Sequence, residues 1–169
     1  MNSPKLKASR EVFDAAERAH RRLSGAGVGD ISIYIQMRMC HQQMNDRLAQ
    51  LLAPHGLSNL GFFTMMGIVG RDGLANPSEL CDALCETRGN MTRICDELVA
   101  KGWMRRVPNP EDRRRVDLSL TDSGMKLLGE IAPMARQNAE AFFKRVFTAQ
   151  ERATLQQLLR RFSDALAEG

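Results

Sequence analysis

The sequence predicts a mainly α-helical fold with a single small β-hairpin. Apolar residues recur at helical spacing in long segments towards both ends of the chain. Two short helical segments joined by a tight turn occupy the middle. Only between Trp103 and Thr121 does the period fall to two, on either side of a proline-rich tip.

At 169 residues, 43% hydrophobic and 26% charged, the chain has the composition of one ordinary globular domain with a real core. No apolar run approaches the roughly 18 residues of a membrane span, and the opening MNSPKLKASREVF lacks the apolar centre of a signal peptide. A cytoplasmic protein with no membrane partner is therefore expected. Cys40, Cys81, Cys85 and Cys95 lie in helix-like segments without CxxC spacing, so reduced and mostly buried cysteines are expected. There is no internal repeat and no low-complexity segment.

The first helix is expected over about Arg10 to Leu23, followed by the glycine-rich break GAGVGD, whose Asp30 is a good N-cap. Ile31, Ile35, Met39, Met44, Leu48, Leu51 and Leu52 then mark a long amphipathic helix, stopped by Pro54 and Gly56. Ser58 caps a helix that runs to Val69 and ends in the RDG turn at Arg71 to Gly73. In NPSELCDAL, Asn76 is an N-cap with Pro77 at the first helical position. After the turn CETRGN a further helix runs from about Arg88 to Lys101, and Gly102 stands where a C-terminal glycine cap belongs. These two helices form a helix-turn-helix candidate.

In the hairpin, Trp103, Arg105 and Val107 alternate with Met104 and Arg106, and Val116, Leu118 and Leu120 alternate with Asp117 and Ser119; Pro108 and Pro110 exclude a helix between them. Thr121 caps a helix from about Asp122 to Val146, in which Pro133 implies a kink or break. The last helix opens on the capping box Thr148-Ala-Gln-Glu151 and continues through Leu155, Leu158, Leu159, Phe162 and Leu166.

The charge is concentrated. Residues 87–115 hold eight basic and four acidic side chains, a surplus of four that equals the net charge of the whole chain. A local basic surface of this kind suits a polyanion. On the helix from Arg88 the apolar centre lies near Met91 and Leu98, which leaves Gly89, Asn90 and Arg93 towards the exposed side, with Thr87 and Arg88 at its start. Arg suits guanine O6 and N7, Asn suits adenine N6 and N7, and a helix N-terminus suits phosphate. Gly89 lets backbone approach a partner closely, although a turn would explain it equally well. The arginine-rich hairpin tip suits the narrow minor groove, where guanidinium groups are less costly to desolvate than ammonium. Asp112 is expected to brace that tip by pairing with one of Arg113, Arg114 and Arg115.

The combination PSELCDAL, then TRGNMTRICDELVAKGWMRRVPNPEDRRRVDLSLTDSG, resembles the winged helix-turn-helix core of the MarR family of bacterial transcriptional regulators. The pattern TRxNxTRIxDELxxxGW, with DRR in the wing and LTxxG after it, is similar to the EmrR (MprA) branch, repressors of multidrug efflux operons. The resemblance covers about residues 31 to 167 and leaves the first 29 unassigned.

The resemblance implies a homodimer on double-stranded DNA with a pseudo-palindromic operator. It divides the chain into an N-terminal arm (1–29), a helical dimerisation region (30–56 and 122–169) and a winged helix-turn-helix DNA-binding lobe (57–121). By matching position, Thr87, Arg88, Asn90, Thr92 and Arg93 would face the major groove or its phosphates, and Arg113 and Arg114 the minor groove, with Arg115 a third wing arginine. It further implies a small hydrophobic or phenolic effector, for which Met37, Cys40, His41, Met44, Phe62, Phe63 and Met66 are the candidate wall, against core packing as the plainer reading of such a stripe.

The alternatives are a thiol-based oxidative-stress sensor acting through Cys40, helped by His41 or Arg38, and a helical interaction module that does not bind DNA. His20, His41 and His55 are scattered, so neither a metal site nor any other cofactor is expected. GAGVGD follows a helix and not a strand, which removes the dinucleotide-binding context, and no nucleophile with a nearby base points to an enzyme.

Overall fold

The computed structural model describes residues 4–24, 29–109 and 115–168. Among the described residues, seven α-helices and one hairpin follow in the order α1 (Pro4–Ser24), α2 (Gly29–Leu52), α3 (Asn59–Val69), α4 (Pro77–Ala83), α5 (Arg88–Ala100), β1 (Met104–Pro108), β2 (Val116–Leu120), α6 (Asp122–Val146) and α7 (Ala149–Glu168). Two compact units result, 1–59 and 60–169.

In the first unit α1 packs on α2. Helix α1 begins six residues earlier than the sequence suggests, because nothing between Pro4 and Arg10 breaks a helix. Helix α2 starts at Gly29, so Asp30 stands in its first turn and not at the N-cap, a shift within the ordinary uncertainty of helix ends. The expected stop holds: a 3-10 turn over Ala53–His55 closes on Gly56 in the left-handed region at φ 65°.

The second unit is organised by caps. Asn76 accepts from the Ser78 N–H at 2.9 Å and starts α4 with Pro77 at its first position. Thr87 accepts from the Asn90 N–H at 3.3 Å and starts α5. The turn between these helices is therefore shorter than CETRGN suggests: Cys85 turns the chain at φ 52°, and Gly89 and Asn90 are already helical. Gly102, at φ 69°, ends α5 as expected, with its N–H on the Val99 carbonyl and the Trp103 N–H on the Leu98 carbonyl.

The strands β1 and β2 are antiparallel, with Met104 opposite Leu120 and Pro108 opposite Val116. Ala75 adds an antiparallel bridge on the free edge of β2, exchanging N–H···O bonds of 3.1 and 2.8 Å with Leu118. The core of the unit sits beneath this sheet and α3 to α6: Met65, Ile68, Leu80, Met91, Ile94, Leu98, Met104, Leu118 and Ile131 are almost wholly buried. The alternation in β1 is weaker than expected, since only Met104 is buried there. In β2, Leu118 and Leu120 point inwards as read, whereas Val116 is exposed and Asp117 is buried.

Thr121 caps α6 by accepting from the Gly124 N–H at 3.1 Å and donates to the Gly102 carbonyl at 2.6 Å; Ser123 donates to the same carbonyl at 2.7 Å. The start of α6 is thereby tied to the end of α5. A Cβ on Gly124 would lie 2.0 Å from the Trp103 carbonyl oxygen, so this close approach requires glycine. Pro133 does not break α6, which runs through it. The capping box of α7 forms as read, with the Thr148 N–H donating to Glu151 at 2.7 Å and the Glu151 N–H to Thr148 at 3.3 Å.

Two of the cysteines, Cys81 and Cys95, are buried, and two, Cys40 and Cys85, are exposed, so the expectation of mostly buried cysteines holds for half of them. Burial pushes the Cys95 thiol above its usual range despite the opposing charge of Arg106, which keeps it protonated and inert. No helix among the described residues is long and apolar enough to cross a membrane.

Candidate nucleic-acid interface

Helix α5 buries Met91, Ile94, Cys95 and Leu98 and turns its other side outwards. Thr87, Arg88, Gly89, Thr92 and Arg93 are exposed there, and Asn90 is half-buried. Gly89 has an ordinary helical backbone and nothing within 4 Å of a Cβ built on it. The turn explanation for this glycine therefore fails, and room for a close partner is what it leaves.

The polar side chains of this face are connected to one another. Asn90 Nδ2 donates to Glu86 Oε2 at 2.8 Å, and Arg93 Nη2 donates to Asn90 Oδ1 at 2.9 Å. Arg93 Nη1 lies 3.6 Å from Glu97, which takes a shorter 2.7 Å bond from Lys101. Lys101 also lies 5.1 Å from the centre of the Trp103 ring. Thr87 is engaged as the cap, and Thr92 donates to the Arg88 carbonyl at 2.9 Å, a local bond that a hydroxyl gives up readily. Arg106 reaches back from β1 to Asp96 at 2.6 Å. Part of the basic surplus is thus neutralised within the lobe. Among the described residues no ion pair engages Arg88 or Arg105.

The wing is anchored at its base. The Asn109 N–H donates to the Arg115 carbonyl at 3.0 Å, and Asn109 Nδ2 donates to the buried Asp117 at 2.6 Å. Arg115 is exposed and lies 4.0 Å from Glu79 of α4, so the third wing arginine sits at the sheet end of the tip. Asp112, Arg113 and Arg114 lie outside the described residues. Asn109, Asp117 and Glu79 did not stand out in the sequence. An aspartate in an alternating strand reads as solvent-facing, and only the asparagine eight residues before it hints at a partner.

The candidate effector residues fall on both units. On α2, Met37, Cys40, His41 and Met44 follow the spacing of one helix face; Met37 is half-buried and the other three are exposed. The His41 ring bonds Asn45 at 2.9 Å. On α3, Phe62 is a core residue, in edge contact with the Phe63 ring at 5.4 Å, whereas Phe63 and Met66 are exposed. No cluster of three or more His, Cys, Asp or Glu able to hold a metal ion occurs among the described residues.

The sequence profile described as MarR family matches residues 62–116, which hold α4, α5 and β1. The multiple antibiotic resistance protein MarR of Escherichia coli K12 is 31% identical over 74% of this chain and 86% of its own length. The transcriptional repressor MprA of the same strain is 29% identical over 76% of this chain and 75% of its own. Among solved structures, a mutant MarR from E. coli complexed with operator DNA aligns with a TM-score of 0.72 at 30% identity, covering 80% of this chain and 96% of that one. AbsC, a MarR family transcriptional regulator from Streptomyces coelicolor, aligns with a TM-score of 0.74 at 17% identity, covering 81% and 93%, and shares the fold.

Proposed function

We propose a mode of action from the premise that this chain belongs to the MarR family and is a MarR-type DNA-binding transcriptional regulator. It acts as a repressor of an efflux or stress-resistance operon. Two copies bind a pseudo-palindromic operator through lobes spanning 57–121, each placing the start of α5 in the major groove and Arg113 and Arg114 of the wing in the adjacent minor groove. The observation that carries this reading is the N-terminal end of α5, where a capped helix presents Arg88, Thr92 and Arg93 around a glycine with open space beside it.

The helices at both ends of the chain, 30–56 and 122–169, supply the dimer. Leu158, Leu159 and Phe162 of α7 are nearly half exposed, and Leu166 more so, which favours a second copy as their partner. A small hydrophobic or phenolic effector would favour a spacing of the two recognition helices that the operator does not fit. The protein works in the cytoplasm, where its DNA is.

The test is a mobility shift of the full chain on the intergenic duplex upstream of its own gene, against a random duplex of equal length at moderate salt. Preference for the upstream duplex is expected; equal binding to both would remove the repressor reading.

A further inference from the structure

On the exposed face of α5 the two side chains best suited to reading bases already have partners. Asn90 bridges Glu86 and Arg93, and Arg93 stands between Asn90 and Glu97. The orientation of the Asn90 amide follows from its neighbours. A carboxylate only accepts and a guanidinium only donates, so Nδ2 must face Glu86 and Oδ1 must face Arg93. A bidentate contact to adenine needs both amide atoms, and one to guanine needs the Arg93 guanidinium. A base edge that takes both amide atoms, or the edge of the guanidinium, therefore competes with the bonds that already orient Asn90 and Arg93. Arg93 remains 64% exposed and is held in place by these contacts without being enclosed.

Resting on the DNA-binding reading above, we propose that Glu86 and Glu97 are specificity-determining residues: they hold Asn90 and Arg93 until an operator base edge replaces their bonds one for one. On a non-cognate duplex the exchange has no matching acceptors, the bonds stay closed, and Arg93 keeps its neutralising neighbour Glu97 instead of joining a phosphate. The two carboxylates thus weaken non-specific binding more than operator binding, raising the ratio between them.

Wild type is compared with Glu86→Gln, Glu97→Gln and Glu130→Gln, the last making the same charge change at an exposed position on α6. Each is titrated against the upstream intergenic duplex and a random duplex of equal length over a range of salt. Glu86→Gln and Glu97→Gln should each tighten on the random duplex several-fold more than Glu130→Gln does, with a smaller change on the upstream duplex, so that the preference falls. The salt slope of Glu97→Gln on random DNA should steepen by about one, the signature of one added phosphate contact. In an Arg93→Ala, Lys101→Gln background, which removes both cations that face Glu97, Glu97→Gln should do no more than Glu130→Gln. An unchanged preference, or equal shifts on both duplexes, overturns the proposal while leaving the regulator reading intact. A wild type without preference removes that reading and this one together.

Discussion

Helices α5 and α7 follow one plan and end in different states. Each is amphipathic, starts at a threonine cap and presents apolar side chains at helical spacing. In α5 four of those side chains are buried and the outward face is filled by hydrogen bonds and ion pairs. In α7 no residue is buried, and Leu158, Leu159 and Phe162 keep nearly half their surface. One helix is completed by its own chain, and the other leaves its apolar face uncovered. On the proposed function, a helix that meets DNA in a fixed register gains from being finished in the monomer, whereas a helix that sets the distance between two lobes is finished by the partner.

The largest expected effect lies on the completed side. Leu98 is 1% exposed at the centre of the α5 core face, and Leu98→Ala should cost about 2–5 kcal/mol, visible as a lowered denaturant midpoint at unchanged slope. The corresponding cut on α7 should leave secondary structure in place and act on assembly. Leu159→Ser with Phe162→Ser should shift sedimentation towards the monomer and make the melting temperature depend more steeply on protein concentration. An unchanged sedimentation profile would erase the contrast between the helices and with it the dimer role of α7.

Gly89 sharpens the comparison from within α5. It adopts a helical backbone with open space beside it, so Gly89→Ala should stabilise the lobe by about 1 kcal/mol, the difference in helix propensity, while weakening operator binding because a methyl group enters the space left for the duplex. Stabilisation with full binding would show that the glycine serves nothing on that face.

What could be read from the sequence were the features set by local chemistry. Asn76, Thr121 and Thr148 cap the helices they were expected to cap, because a side-chain oxygen answering an N–H two or three residues on needs no tertiary information. Gly102 likewise follows from the left-handed turn that ends α5. The winged order of elements came from the change of period. Features set by distant partners were not legible. The Ala75 bridge to Leu118 is a single pair with no alternation to announce it. The burial of Asp117 depends on Asn109, and the fixed amide of Asn90 depends on having an acid on one side and a base on the other, which only the folded helix reveals. Of the kink or break expected at Pro133, the break does not occur, since α6 continues through it.

The smallest effect concerns how α7 begins. The Thr148 backbone N–H, and then its hydroxyl, hold the Glu151 carboxyl below the usual carboxylate range. A carboxyl whose pKa is depressed on folding adds stability that is complete above its unfolded value, about 4.3 for glutamate, and fades as pH falls through the lower folded value. Glu140 on α6 is also lowered, first by its bond to Lys144 and then by Arg136, so the acid response of the wild type alone mixes the two. Comparing wild type with Glu151→Gln at fixed protein concentration separates them, since Glu140 is common to both. The gap in melting temperature should be present at neutral pH, be unchanged down to about pH 5, and close below the ordinary glutamate range. A gap that stays constant through the acid range would mean that the capping box acts through its shape and not through its charge.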